Sequence, residues 1–426
     1  MPNKAMNGAL LVAPALVFAF PGSYWLTTLI FSVIGVMALR RPQADSMPLR
    51  QSMRGLPMLW GFAIFALLHI ALTAYHHEPA KDFGNVLPFV LSPLVLIAVI
   101  RHEPDPRYFW YGCATGSLLG LVIAVVQVYL LDAGRAYGFS NAITFGDTAV
   151  VLGTSALVGL FYRYADFQHT AQRVYLLVGG CSGFISSLLS GSKGGWLSLV
   201  MVIVLLASTA TRSLSPLRRL SVALGLSAAL VMFVTLMPKL PVLDRIVSAY
   251  QGAKVWIQTG EITEGSASIR LEAFKAGLLA GAHSPIVGLG RQGQLAVIQQ
   301  AVNDGQVNEI MIEKKIIEGK ASYHVFSIDN DLINLFARQG LLGVIGALAV
   351  HIGLFISFWR YRNQTDSSIN ALSTLGLLLV LLYFEFGLSI SVFGVSIFRV
   401  IYATWAALLL GLLIVERRRL VDATRQ

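Results

Sequence analysis

The chain has 426 residues, 55% of them hydrophobic and only 13% charged, with a formal net charge of +10. A soluble domain carries about 25% charged residues, so this composition, with a mean hydropathy of +0.68, excludes a soluble globular protein. Apolar runs of about 15–24 residues, rather than alternating ten-residue strands, make it an all-α integral membrane protein. The positive charge then reports topology and not a nucleic-acid footprint.

The predicted elements begin with Lys4 and an apolar stretch over Ala9–Phe20. No A-x-A-like cleavage site follows and a second apolar run comes at once, so the stretch reads as a retained first span. Twelve transmembrane helices are expected, at roughly 7–20, 24–39, 57–75, 86–100, 108–131, 147–162, 174–190, 195–211, 219–237, 341–359, 371–390 and 394–415, several of them shorter than the usual ~20 residues. Cys113 and Cys181 both fall inside apolar runs, with no His or acid cluster beside them, which argues against a disulfide framework or a thiol nucleophile.

The connections alternate in character. One set carries Arg40, Arg41, Arg50 and Arg54, then Arg101 and Arg107, Arg163 and Arg173, Arg212, Arg218 and Arg219, Arg360 and Arg362, and Arg417–Arg419. Lysine and arginine mark the cytoplasmic side, so both termini are expected there. The short loops of the opposite set hold only Lys81, Arg135 and Lys193, each beside a span end. Singly, such cations are ordinary headgroup anchors; three of them, together with Arg270 and Arg291 further on, point to an anionic ligand.

Between the ninth and tenth expected spans lies the only long polar segment, residues 239–330. The expected organisation is therefore helices 1–9 over 1–238, one large helical loop domain on the far side over 239–330, and helices 10–12 over 331–426. Ser266 or Ser268 can cap a helix running to about Gly281, with Arg270 and Phe274 four apart on one face. His283-Ser284-Pro285 ends it, and Gly288-x-Gly290 makes a tight loop whose backbone N–H groups can approach an oxyanion. Residues 293–303 and 306–319 read as two more short helices. From Lys239 to Ile328 there are nine Lys/Arg and eight Asp/Glu, so an anion site here must come from placement, not bulk charge.

His324 precedes Asp329-Asn330-Asp331. The D-x-D form suits a divalent cation held by hard oxygen ligands, but a helix beginning at Asp329 would turn the two carboxylates about 200° apart. Within the last spans Glu385 and Arg399 are expected to form a structural ion pair.

The ordered set Ser192-Lys193-Gly194, Arg270-x3-Phe274, Pro285-x2-Gly288-x-Gly290, a histidine before Asn330, and Gly340-Leu-Leu-Gly343 resembles the O-antigen ligase/polymerase superfamily of bacterial envelope glycosyltransferases over roughly residues 130–350. The chain departs from that pattern with Lys193 in place of Arg, Phe274 in place of Trp, and no His-x-His-Asn. The resemblance implies an O-antigen ligase in the bacterial inner membrane with its site facing the periplasm. It would move glycan from undecaprenyl pyrophosphate to a lipid A-core hydroxyl, with inversion and without a metal or cofactor. For that reaction the residues supply His324 as the expected general base and Lys81, Arg135, Lys193, Arg270, Arg291 and Asn330 as expected substrate-binding residues. The chemistry agrees: a departing pyrophosphate needs cations at headgroup level, which arginine can supply bidentately, and histidine is a base suited to ambient pH. The alternatives are a polymerase of the same superfamily, whose acceptor is another lipid-linked glycan, and a lipid-linked glycan transporter. The latter would usually show repeat symmetry and a polar midplane site.

Overall fold

The structure, a computed structural model, describes residues 4–40, 56–162, 167–192, 242–263, 266–317, 320–362 and 366–425, with Gln364 and scattered positions between 195 and 225. Lys193 and nearly all of the eighth and ninth expected spans lie outside these residues.

The first half is helical: α1 (Lys4–Ala15), α2 (Tyr24–Leu39), α3 (Pro57–Tyr75), a single turn α4 (Ala80–Phe83), α5 (Leu87–His102), α6 (Arg107–Val125), α7 (Ala142–Tyr162) and α8 (Thr170–Ser190). The polar segment contributes α9 (Val242–Thr259), α10 (Ser266–His283), α11 (Gly290–Asn303) and an antiparallel hairpin of β1 (Ile312–Ile317) and β2 (Lys320–Val325). The chain ends with α12 (Asp331–Trp359), α13 (Ser367–Phe386) and α14 (Ser396–Arg425).

Among the described residues, eight helices are long and apolar enough to cross a membrane, against twelve expected. The first expected span is a helix of only 12 residues; a chain of turns follows it up to Tyr24, with Pro21 and, at positive φ, Gly22 in its path. α2 is apolar but has 16 residues, short of the ~20 that a perpendicular crossing needs. The membrane helices pack through small residues: a Cβ on Gly183 of α8 would press 2.8 Å from Gly153 of α7, the close approach that substitutes for a hydrophobic drive between helices in lipid. Aromatic residues fill the far end, where the rings of Tyr383 and Tyr402 stack at 4.5 Å.

The polar segment has a second hydrophobic core of its own, built on Ala273, Ala276 and Ala280 of α10, Ile298 and Ala301 of α11, Met311 and Ile328. Ala337 of α12 belongs to this core as well. The helix expected over 306–319 is instead a 3-10 turn and a hairpin strand. Ile310, Ile312, Ile316 and Ile317 are β-branched, which favours a strand over a helix here.

α12 is 29 residues long, about 44 Å at 1.5 Å per residue, and it is broken at Gly340, where φ is +63° and ψ −161°. The piece before the break packs with the polar segment's core. The 19 residues after it, about 28 Å, match the tenth expected span. The expected ion pair between Glu385 and Arg399 is not formed: Arg399 Nη1 donates to the carbonyl of Phe393 at 2.6 Å and Glu385 accepts from Ser198.

Candidate active site

The site is assembled around the break in α12. The loop Ser284–Gly290 docks onto it: Leu341 N–H donates to Pro285 O at 2.8 Å, Leu342 N–H to Ile286 O at 3.2 Å and Leu289 N–H to Ala337 O at 3.1 Å. The two backbones approach so closely that a Cβ at Gly288 would overlap Arg338 and Gln339, and one at Gly340 would overlap Ile286; both glycines have positive φ. Gly288 N–H closes back onto Ser284 O at 2.9 Å. The Pro285-x2-Gly288-x-Gly290 motif is therefore a backbone joint rather than an open cradle of amides.

The turn after α3 locks this joint. His76 Nε2 donates to Val287 O at 2.8 Å, and the Arg291 N–H donates to Glu78. Arg291 Nη2 reaches both oxygens of Asp82, at 3.0 and 2.8 Å. Arg338, two residues before the break in α12, lies 3.6 Å from each of Glu78 and Asp82. The two carboxylates are nearly buried, their side chains 8% and 10% exposed, so each must be paired. His69 adds a support beneath: its Nε2 donates to Asp82 O at 3.2 Å and its Nδ1 accepts from Gln339 at 2.9 Å. That network fixes the Nε2–H tautomer.

Beside this ionic cluster opens a cavity of about 770 Å³ whose walls include His324, Tyr323, Arg291, Gln294, Gln299 and Arg338. β2 presents His324 directly opposite Glu313 of β1. α11 supplies Gln292, Leu295, Ala296 and Gln299 to the wall at i, i+3, i+4 and i+7, one helical face. Asn334 and Arg338, four apart on α12, line this cavity and also a second one of about 40 Å³ that contains His69, Glu78 and Asp82.

The residues singled out in the sequence divide between several places. His324 and Arg291 share the large cavity. Arg270 of α10 lies 3.9 Å from Asp329, whose other oxygen accepts from the cavity residue Ser327 at 2.8 Å. Arg270 is also within electrostatic reach of Asp147, and Asp147 accepts from Ser192 at 2.7 Å. Arg135 donates to the last carbonyls of α8, Ser190 O at 2.8 Å and Gly191 O at 3.4 Å, the negative end of the helix dipole. Arg135 thus holds the turn that leads into Lys193, and Arg270 acts on the Asp147 carboxylate that binds Ser192 of the same turn; Lys193 is itself outside the described residues. Lys81 is exposed on α4. Asn330 is the N-cap of α12, accepting from Ile333 N–H at 3.1 Å and donating to Leu388 O at 3.4 Å, and it does not line the cavity.

Asp329 and Asp331 part company. Asp331 accepts from Ser391 Oγ, Val392 N–H and Phe393 N–H at 2.9–3.1 Å, tying α12 to the loop before α14, while Asp329 faces Arg270 and Ser327. Among the described residues no three His, Cys, Asp or Glu side chains come together as a metal site.

Sequence reasoning missed Glu78, Asp82, Arg338, Gln294 and Gln299. Glu78 and Asp82 flank Lys81, and Arg338 follows Asn334 at i+4. Their partners lie on other elements, as with Asp82 and Arg291, 209 positions apart, a distance that no local pattern spans.

Fold and site together define a mainly helical protein with several helices long and apolar enough to cross a membrane and a polar cavity beside the break in α12. Residues 181–348 match the family model described as O-antigen ligase. The match runs from α8 through the joint to the membrane piece of α12. An uncharacterized protein of Haemophilus influenzae is 18% identical over 367 residues, covering 85% of this chain and 86% of its own length.

Proposed function

We propose that the protein is an O-antigen ligase, a glycosyltransferase that moves glycan from undecaprenyl pyrophosphate to a sugar hydroxyl of lipid A-core at the periplasmic face of the inner membrane. The observation that carries the reading is His324 in the wall of the large cavity, within the matched segment and beside Arg291 and Arg338. Residues 239–330 form the periplasmic domain, helices on either side of it cross the membrane, and both termini are cytoplasmic.

In this reading the acceptor oxygen attacks the anomeric carbon as the bond from that carbon to the pyrophosphate oxygen breaks. His324 takes the hydroxyl proton, and undecaprenyl pyrophosphate leaves with the bonding electrons. One displacement inverts the anomeric centre. Arg135, Lys193 and Arg270 meet the charge that develops on the pyrophosphate, in place of a metal ion, since preorganised cations stabilise such charge without reorganising. Lys81 attracts the donor at the membrane surface. Arg291 shapes the cavity end, and Asn330 holds α12 in place beneath it.

The test is transfer by the purified protein from lipid-linked glycan to lipid A-core with EDTA present. Product on lipid A-core supports the ligase. Product formed only on a second lipid-linked glycan converts the assignment to a polymerase, and loss of product in EDTA transfers the electrostatic role to a metal.

A further inference from the structure

The charge in the large cavity's wall is engaged in ion pairs, with Arg291 Nε buried and left without a hydrogen bond. Among the described residues, the charged groups in its wall are Arg291 and Arg338. Both are paired with Glu78 and Asp82, two guanidinium groups against two carboxylates. A pyrophosphate entering here would have to displace nearly buried carboxylates from their partners, at the cost of leaving them unpaired. Apart from the His324 imidazole, the rest of the polar wall is amide and hydroxyl.

One of those amides is poised for a ligand. Gln294 is 4% exposed, lines the cavity, and its Nε2 has no hydrogen-bond partner. A buried donor in that state costs free energy until something accepts from it. Gln299 stands on the same wall with both a donor and an acceptor on its amide, the pair of functions that adjacent ring hydroxyls require. Tyr323, 49% exposed on β2, offers a ring face and a hydroxyl at the mouth. At about 770 Å³ the space falls within the roughly 300–1,000 Å³ of small-molecule sites.

We propose that the α11 wall of this cavity is the acceptor-sugar subsite, that it takes uncharged hydroxyl-bearing rings rather than phosphate, and that Gln294 and Gln299 determine which sugar is accepted. The proposal rests on the transferase reading above and divides its site in two: a neutral pocket for the acceptor and, by the α8 turn that Arg135 holds, a separate place for the donor pyrophosphate.

The experiment uses the full-length protein in nanodiscs and two probes: a deacylated, dephosphorylated core oligosaccharide and inorganic pyrophosphate. Binding of each is followed by saturation-transfer NMR, and acceptor and donor KM are measured beside it. Gln294→Ala and Gln299→Ala should each weaken the oligosaccharide by about tenfold, the size of one net hydrogen bond in a desolvated site, and raise acceptor KM with kcat nearly kept. Pyrophosphate binding and donor KM should not move. Matching thermal melts establish that the variants are folded, and Gln299→Ala keeps the test decisive should the buried Gln294 not tolerate truncation. Oligosaccharide binding that ignores both glutamines, or a shift confined to pyrophosphate, overturns the subsite. Because binding is read without turnover, glutamine-dependent oligosaccharide binding in a protein that transfers nothing would sink the ligase reading and leave the subsite standing.

Discussion

Two cavities share Asn334 and Arg338 in their walls, and they use the same kinds of residue in opposite ways. The small one is walled by His69, Glu78 and Asp82, with its acids paired to arginines and its histidine held from both ring nitrogens. The large one is walled by glutamines, tyrosine and His324, with Gln294 Nε2 left without a partner. The comparison teaches that the charge in this protein's polar segment is mostly scaffold. The ionic cluster fixes the joint, and the chemistry is left to groups that look unremarkable in the sequence.

That contrast can be attacked from the scaffold side. The largest loss of stability is expected from Gly340→Ala, which forces a Cβ into the backbone of Ile286 at positive φ; about 3 kcal/mol is expected, visible as a drop in the unfolding temperature of the purified protein. Asp82→Asn keeps the shape but removes one of the two negative charges that hold Arg291 and Arg338. It should destabilise by about 2 kcal/mol and make inorganic pyrophosphate an inhibitor against the acceptor, since the cavity end is then cationic. An unchanged melt with no gain in pyrophosphate inhibition would remove the distinction between scaffold and site. Lys81→Ala, on an exposed turn, should alter stability by less than about 0.5 kcal/mol and raise only the donor KM, by a factor that shrinks as salt rises.

Much of the membrane framework was legible in advance. The apolar runs at 57–75 and 341–359 became a helix and the second half of a helix, because hydrophobic length is set by the bilayer and recorded locally. The tenth span was expected to begin at residue 341, but a helix running on from Asp331 and broken at Gly340 was not. His324 could be singled out because it is the histidine that shortly precedes Asn330 in the ordered set of motifs. The hairpin was missed since Glu313, Lys314 and Lys315 interrupt its isoleucines with charges that read as a helix face. The Glu385–Arg399 pair was expected from two charges in apolar runs, yet each found a nearer neutral partner. Arg291 was read as a free cation for the substrate. Its pairing with Glu78 and Asp82 is a product of tertiary docking between α11 and the turn after α3, and composition carries no trace of it.

The most direct measurement is single-turnover transfer to lipid A-core by the native protein and by His324→Ala, each shown to melt at the same temperature. The account predicts that the variant binds both substrates and loses about 100- to 10,000-fold in the rate of the chemical step, the range for removal of a general base. Transfer within a few-fold of the native rate would contradict it, and would return His324 to an ordinary place on a hairpin strand.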